Sequence, residues 1–114
     1  MVDTIVQQNK KIALKEHQCV TYVEVETITH ISCEGYLSTI YTIDNKTTTV
    51  SKLLKHFEIE LSNLGFIRIN RATIVNSKYI AMLRRGNRRK ITLVNGVEVA
   101  ISRRKLYQIR ELLQ

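Results

Sequence analysis

Proline is absent from this 114-residue chain, where roughly 5% would be ordinary. That excludes a proline-rich linker or recognition tail. The two cysteines, Cys19 and Cys33, are too few and too far apart to build a zinc site by themselves. His30 could join them as a third ligand, but no fourth-ligand pattern exists. Both thiols therefore read as buried members of strand-like runs, with no disulfide in a reducing compartment. A glycine-rich phosphate loop, a helical pair of metal-binding histidines and a nucleophile elbow are all missing. His17, His30 and His56 stand singly, without a partner for acid–base work. Glu24 and Glu26 share one strand face, an arrangement that on a half-exposed strand is ordinarily a solvated one. No enzyme, cofactor or metal is expected.

No apolar run approaches the ~20 residues of a membrane span. The opening stretch, MVDTIVQQNKKIALKEHQ, lacks the apolar core of a secretory signal. A cytoplasmic protein with no membrane partner is the expectation, and the glycosylation pattern Asn45-Lys46-Thr47 is then idle. Acidic residues are scarce in one half only. Residues 1–67 carry six Lys/Arg against eight Asp/Glu, a net of −2, whereas residues 68–114 carry twelve Lys/Arg against Glu98 and Glu111, a net of +10. Such asymmetry points to a polyanion partner for the second half.

Enough aliphatic residues remain for one globular domain with a modest core. Residues 1–9 read as a flexible start or linker, and 10–114 as the domain. Strand-like alternation runs over 10–15 and 18–25, followed by strands at 28–33, 36–43 and 47–50, with turns at Glu34-Gly35 and Asp44-Asn45-Lys46. The period then changes. Leu53, Leu54, Phe57, Leu61 and Leu64 fall on one helical face, with Ser51 as its cap and Gly65 as its stop. Strands resume from Phe66 to Val75, broken by Asn70-Arg71, and continue over 79–84 and 88–94. Asn95-Gly96 predicts a type I′ hairpin into a strand at 97–101. Ser102 caps a short terminal helix with Leu106, Ile109, Leu112 and Leu113 facing inward. The fold class is mainly β: antiparallel strands in small sheets, one mid-chain helix and a short C-terminal helix.

Three basic clusters carry the functional signal. Arg68 and Arg71 lie in the central stretch 66–80, with Lys78 beyond them. Arg84, Arg85, Arg88, Arg89 and Lys90 flank the turn at Gly86-Asn87 and are candidate phosphate contacts. Arg103, Arg104 and Lys105 follow Ser102, where cations oppose the helix dipole unless an anion arrives. Nucleic acid is the favoured partner. Of the aromatics, Tyr22, Tyr36, Tyr41, Phe57, Phe66, Tyr79 and Tyr107, most fit core-facing slots. Few stackers beside many guanidiniums favour duplex DNA over single strands. The alternatives are a small basic RNA-binding or ribosome-associated protein and a protein-interaction module with an incidental basic face.

One stretch, Gly65-Phe66-Ile67-Arg68-Ile69-Asn70-Arg71-Ala72-Thr73-Ile74-Val75-Asn76, resembles the pattern F-x-R-x-H-R-S-x-I-V-N. Ala100-Ile101-Ser102-Arg103-Arg104 resembles a terminal V-S-R-R. Residues 28–37 are similar to an I-x-x-I-E-x-x-G-x-Y-V segment, one residue shorter. These are motifs of the LytTR DNA-binding domain, the output module of many bacterial response regulators, and the chain resembles that family over about residues 10–113. The resemblance implies loops that enter successive major grooves of double-stranded DNA at direct-repeat sites. It implies base contacts from Arg71 and Arg104, and backbone or supporting contacts from Tyr36, Leu37, Arg68, Asn70, Lys78, Ser102, Arg103 and Lys105. It also leaves room for a homodimer on DNA and for a receiver domain or upstream signalling partner, since no phosphorylatable acidic pocket is evident here. Asn70 and Ala72 stand where the family usually has His and Ser.

Overall fold

The computed structural model describes residues 10–112. The N-terminal segment 1–9 and Leu113 lie outside the described residues. Among the described residues, ten strands form three antiparallel sheets. A five-stranded sheet lies at the centre, in the order β5 (Thr47–Val50), β4 (Leu37–Thr42), β3 (Ile28–Glu34), β7 (Thr73–Asn76), β6 (Phe66–Asn70). β1 (Lys11–Lys15) pairs with β2 (Val20–Glu24). β8 (Ile80–Arg84), β9 (Lys90–Leu93) and β10 (Glu98–Ala100) form the third sheet, with β9 in the middle. Helix α1 is Leu54–Glu60 and α2 is Arg103–Leu112.

At β7 the central sheet is buried on both faces, as its adjacent apolar residues Ile74 and Val75 indicate, whereas the β5 edge keeps Thr47 and Thr49 exposed. Ile74 faces one core with Ile12, Leu14, Ile31, Ile40, Leu54 and Phe57, so α1 and the β1–β2 pair cover that side. Val75 faces a second core with Ile69, Ile91, Leu93, Val99 and Ile109, so the third sheet and α2 cover the other. Along β6 the faces alternate: Phe66 packs on the first core, Ile67 and Ile69 on the second. Arg68 is thereby sent to the α1 side.

Several expectations need correction. Val25 leaves β2 for a 3₁₀ turn, Val25–Thr27, where it is buried. Ser51 does not cap α1, which starts after Leu53 without a side-chain cap. Leu53 is consequently exposed, and Leu64 lies beyond the helix in the turn before Gly65. The Asn95-Gly96 hairpin forms, but not as type I′. Gly96 has φ +90° whereas Asn95 does not have positive φ, and the Gly96 amide bonds the Leu93 carbonyl at 2.9 Å. That is the three-residue loop with a glycine bulge. The β4–β5 hairpin repeats it, with Asn45 (φ 66°) in the glycine's place and its amide 3.0 Å from the Thr42 carbonyl. Leu112 is exposed, because α2 ends beyond the sheet it packs on through Ile109 and Leu106. Tyr22, Tyr36 and Tyr107 are also exposed, on a strand, a hairpin tip and the outer face of α2. The thiols are not both buried: Cys19 is exposed in the β1–β2 turn beside Glu16, and Cys33 is half-buried.

Asn76, which ends β7, is 4% exposed. Its amide nitrogen donates to the Ile28 carbonyl at 2.9 Å, and its side-chain oxygen accepts from the Lys78 amide at 3.1 Å. It thus joins the start of β3 to the Ser77–Tyr79 turn that launches β8. Asn76→Ala leaves both groups unpaired and should cost about 2 kcal/mol in urea unfolding. Asn76→Asp should cost a similar amount, since a carboxylate cannot donate to Ile28.

Candidate nucleic-acid interface

Four connections meet along one edge of the domain, although they come from distant parts of the chain. Antiparallel pairing sets Ser32 of β3 opposite Thr73 of β7, so the β3–β4 tip at Gly35-Tyr36 lies at the same end as the β6–β7 loop. Three bonds then tie the neighbours laterally. The Cys33 amide donates to the Ala72 carbonyl at 2.9 Å, and the Ser102 amide to the Ile69 carbonyl at 3.1 Å. The Ile101 amide donates to the Arg89 carbonyl at 3.3 Å. The edge therefore runs from Tyr36-Leu37 through Arg71 and the start of α2 to the Arg84–Lys90 hairpin.

The β6–β7 loop consists of Arg71 and Ala72 alone, and neither has positive φ. A two-residue hairpin without positive φ cannot use the primed turns that match strand twist. A bulge at Ile69 accompanies it, where the β6–β7 register shifts between Arg68 and Asn70. Asn70 completes the turn: its side-chain oxygen accepts from the Ala72 amide at 2.8 Å. Its amide nitrogen donates to the Ala100 carbonyl at 2.6 Å, which binds the loop to the end of β10. Both ends of the Asn70 side chain are thus engaged within the protein.

At the start of α2, the Ser102 hydroxyl caps the Lys105 amide at 3.3 Å. Arg103, Arg104 and Lys105 fill the first turn, with no acid among them. Arg68, Asn70, Arg71, Ser102, Arg104 and Lys105 line one cleft of about 360 Å³, together with the carboxylate of Glu58. The two clusters separated by some thirty residues of sequence become a single basic site.

Ion pairing sorts the cations. Lys90 pairs with Glu98 at 3.0 Å, Arg68 with Glu58 at 3.0 Å and Lys78 with Glu26 at 3.3 Å. Lys78 sits at the opposite end of β7 from Arg71 and does not join the edge. Arg89 is half-buried, with its Nε sealed from solvent and unpartnered. Arg71, Arg84, Arg85, Arg88, Arg103 and Arg104 are exposed, and among the described residues no carboxylate pairs with them. Tyr36 (81% exposed) and Leu37 (51%) stand at the other end of the same edge. The sequence reading missed Glu58, the lone acid of the cleft, because nothing in its helix marks it as facing Arg68.

The remaining candidate ligands form no site. Among the described residues no group of three His, Cys, Asp or Glu could hold a metal. His30 is buried, stacked on Tyr41 with ring centroids 4.2 Å apart, and its Nδ1 meets the Thr29 hydroxyl at 2.9 Å. No helix among the described residues is long and apolar enough to cross a membrane.

The described residues thus form a small antiparallel β domain with unpaired arginines on adjoining loops. The model of the LytTr DNA-binding domain matches residues 18–114, and the chain belongs to that family. This is a family of DNA-binding domains, not of enzymes. A solved LytTr DNA-binding domain from Bacillus cereus has the same fold, with a TM-score of 0.77 at 23% identity over 90% of this chain and 95% of that one. No curated protein matches the chain.

Burial lowers the His30 pKa from its ordinary 6.5, because the buried ring resists charging. The unfolded chain then binds the proton more readily, so stability is full above pH 6.5 and falls as pH drops below it. Urea unfolding between pH 7.5 and 5 should show this decline, and His30→Gln should flatten it.

Proposed function

We propose that this domain regulates transcription as the DNA-reading part of a response-regulator system, with Arg71 and Arg104 contacting base edges in the major groove of duplex DNA. The observation that carries this reading is the joining of their two loops in one cleft through Asn70 and the Ser102 amide. Arginine on a braced loop meets guanine O6 and N7 bidentately, the commonest base-specific contact. Arg103, Lys105 and the Arg84, Arg85 and Arg88 hairpin supply phosphate contacts on either side, and Ser102 and Asn70 support them from within. Tyr36 and Leu37 make the third contact at the far end of the edge. The domain measures 44 × 42 × 24 Å, so its broad dimensions exceed the ~34 Å of one DNA turn. Its partners in this role are a direct-repeat promoter site, a second copy beside it, and a receiver domain or other upstream signal.

The exposed tyrosines lend the single-strand reading one observation of its own. Stacking on single strands needs successive aromatics along one groove. Of the three, only Tyr36 is on the edge that bears the unpaired arginines, which favours duplex.

A duplex selected by the protein from a random pool, compared with random duplex, tests the roles. Arg71→Ala and Arg104→Ala should each cost about 1–3 kcal/mol on the selected duplex and much less on random sequence. Arg88→Ala should weaken both alike, and Lys55→Ala neither. With about five phosphates neutralised, log K should fall against log salt with a slope of roughly −4 to −5. Equal losses on both duplexes for Arg71→Ala and Arg104→Ala would reduce them to phosphate contacts. Tighter binding to single strands or RNA hairpins would replace the duplex reading.

A further inference from the structure

Glu58 is out of place in a cleft built for phosphates. A carboxylate there repels DNA, yet it lines the same 360 Å³ space as Arg68, Arg71, Arg104 and Lys105. Its partner resolves the conflict. Arg68 projects from β6 toward α1, with its side chain 24% exposed. Its Nη1 donates to Glu58 Oε1 at 3.0 Å, its Nη2 to the Arg71 carbonyl at 2.6 Å and its Nε to the Asn70 carbonyl at 3.3 Å. Three of the five guanidinium donors are spent on one carboxylate and on two carbonyls of the bulged loop, and the cation is neutralised where it stands.

We propose that Arg68, held by Glu58, is a positioning residue that sets the direction of Arg71, and not a ligand of the DNA backbone. The inference rests on Arg71 reading bases, and it assigns that specificity in part to a helix on the other side of the sheet. The ion pair alone is worth little at this exposure. What matters is the fork: a planar guanidinium can satisfy a carboxylate and two loop carbonyls at once, whereas an ammonium is a single point charge. Without the fork, the loop keeps the Asn70 side chain and the Cys33–Ala72 bond, which hold Ala72 but leave the Arg71 carbonyl without the Arg68 donor, and Arg71 samples directions that miss the base edge. Phosphate attraction, which tolerates such spread, survives.

The test uses the full chain carrying Arg68→Ala, Arg68→Lys or Glu58→Gln, with affinities for the selected and random duplexes measured across salt. Amide hydrogen exchange at Ala72 and Cys33 is followed in the free protein. Arg68→Ala should lower affinity for the selected duplex about tenfold and leave random duplex nearly unchanged. The salt slope should hold, and exchange at Ala72 should quicken. Arg68→Lys should remain impaired, and Glu58→Gln should narrow the ratio between the two duplexes. The proposal fails if Arg68→Ala weakens both duplexes equally and reduces the slope by about 0.9, the loss of one phosphate. It also fails if lysine restores the ratio. If Arg71→Ala itself weakens both duplexes alike, the base-reading role is what has failed. Exchange at Ala72 then decides the brace alone: faster in Arg68→Ala supports it, unchanged removes it.

Discussion

The Asn70 side chain bridges two parts of the protein that belong to different sheets. Its oxygen closes the Arg71-Ala72 turn, and its nitrogen reaches the last carbonyl of β10, thirty residues away. A hairpin loop this short, lacking any residue of positive φ, has few internal ways to satisfy its backbone. The bulge at Ile69 and the Arg68 fork complete what Asn70 begins.

Charge alone does not single out the cations available to DNA. The basic half contains Lys78 and Lys90 as well as Arg71 and Arg104, and by charge they are equivalent. In the fold, Lys78 and Lys90 are occupied by Glu26 and Glu98, while the arginines at loop tips and at the start of α2 keep their donors open. Arg103 and Arg104 at a helix start, unaccompanied by any acid, are a local conflict that an incoming phosphate relieves. The charge run and the free charges overlap only in part.

Much of the fold was legible because its signals are local. Alternation marked the strands, the shift to helical period marked α1, and Ser102 followed by a run of good helix formers marked α2. What escaped depends on partners remote in sequence. The α1 boundaries followed tertiary packing of Leu54 and Phe57, not the Ser51 hydroxyl. Asn95 was read as a type I′ residue, but the loop took one more residue and spent its positive φ on Gly96. Most of the aromatics fitted core-facing slots, and Tyr41, Phe57, Phe66 and Tyr79 are buried or half-buried, but no short-range pattern marks the solvent face of a two-stranded sheet, where Tyr22 stands. Of the site, Arg71, Arg104 and Ser102 stood out through motif and capping chemistry. Their meeting in one cleft, and the part of Glu58 in it, followed only from strand pairing.

Four connections that share an edge should respond to DNA together. Backbone amide shifts, followed by NMR as the selected duplex is titrated in, read this most directly. The edge at residues 34–37, 70–72, 84–89 and 101–105 should move as one set. The opposite end, at residues 43–46, 77–79 and 94–97, should stay still. Shifts centred on that opposite end, or confined to the Arg84–Lys90 hairpin while 70–72 and 101–105 remain fixed, would contradict a single four-loop reading edge.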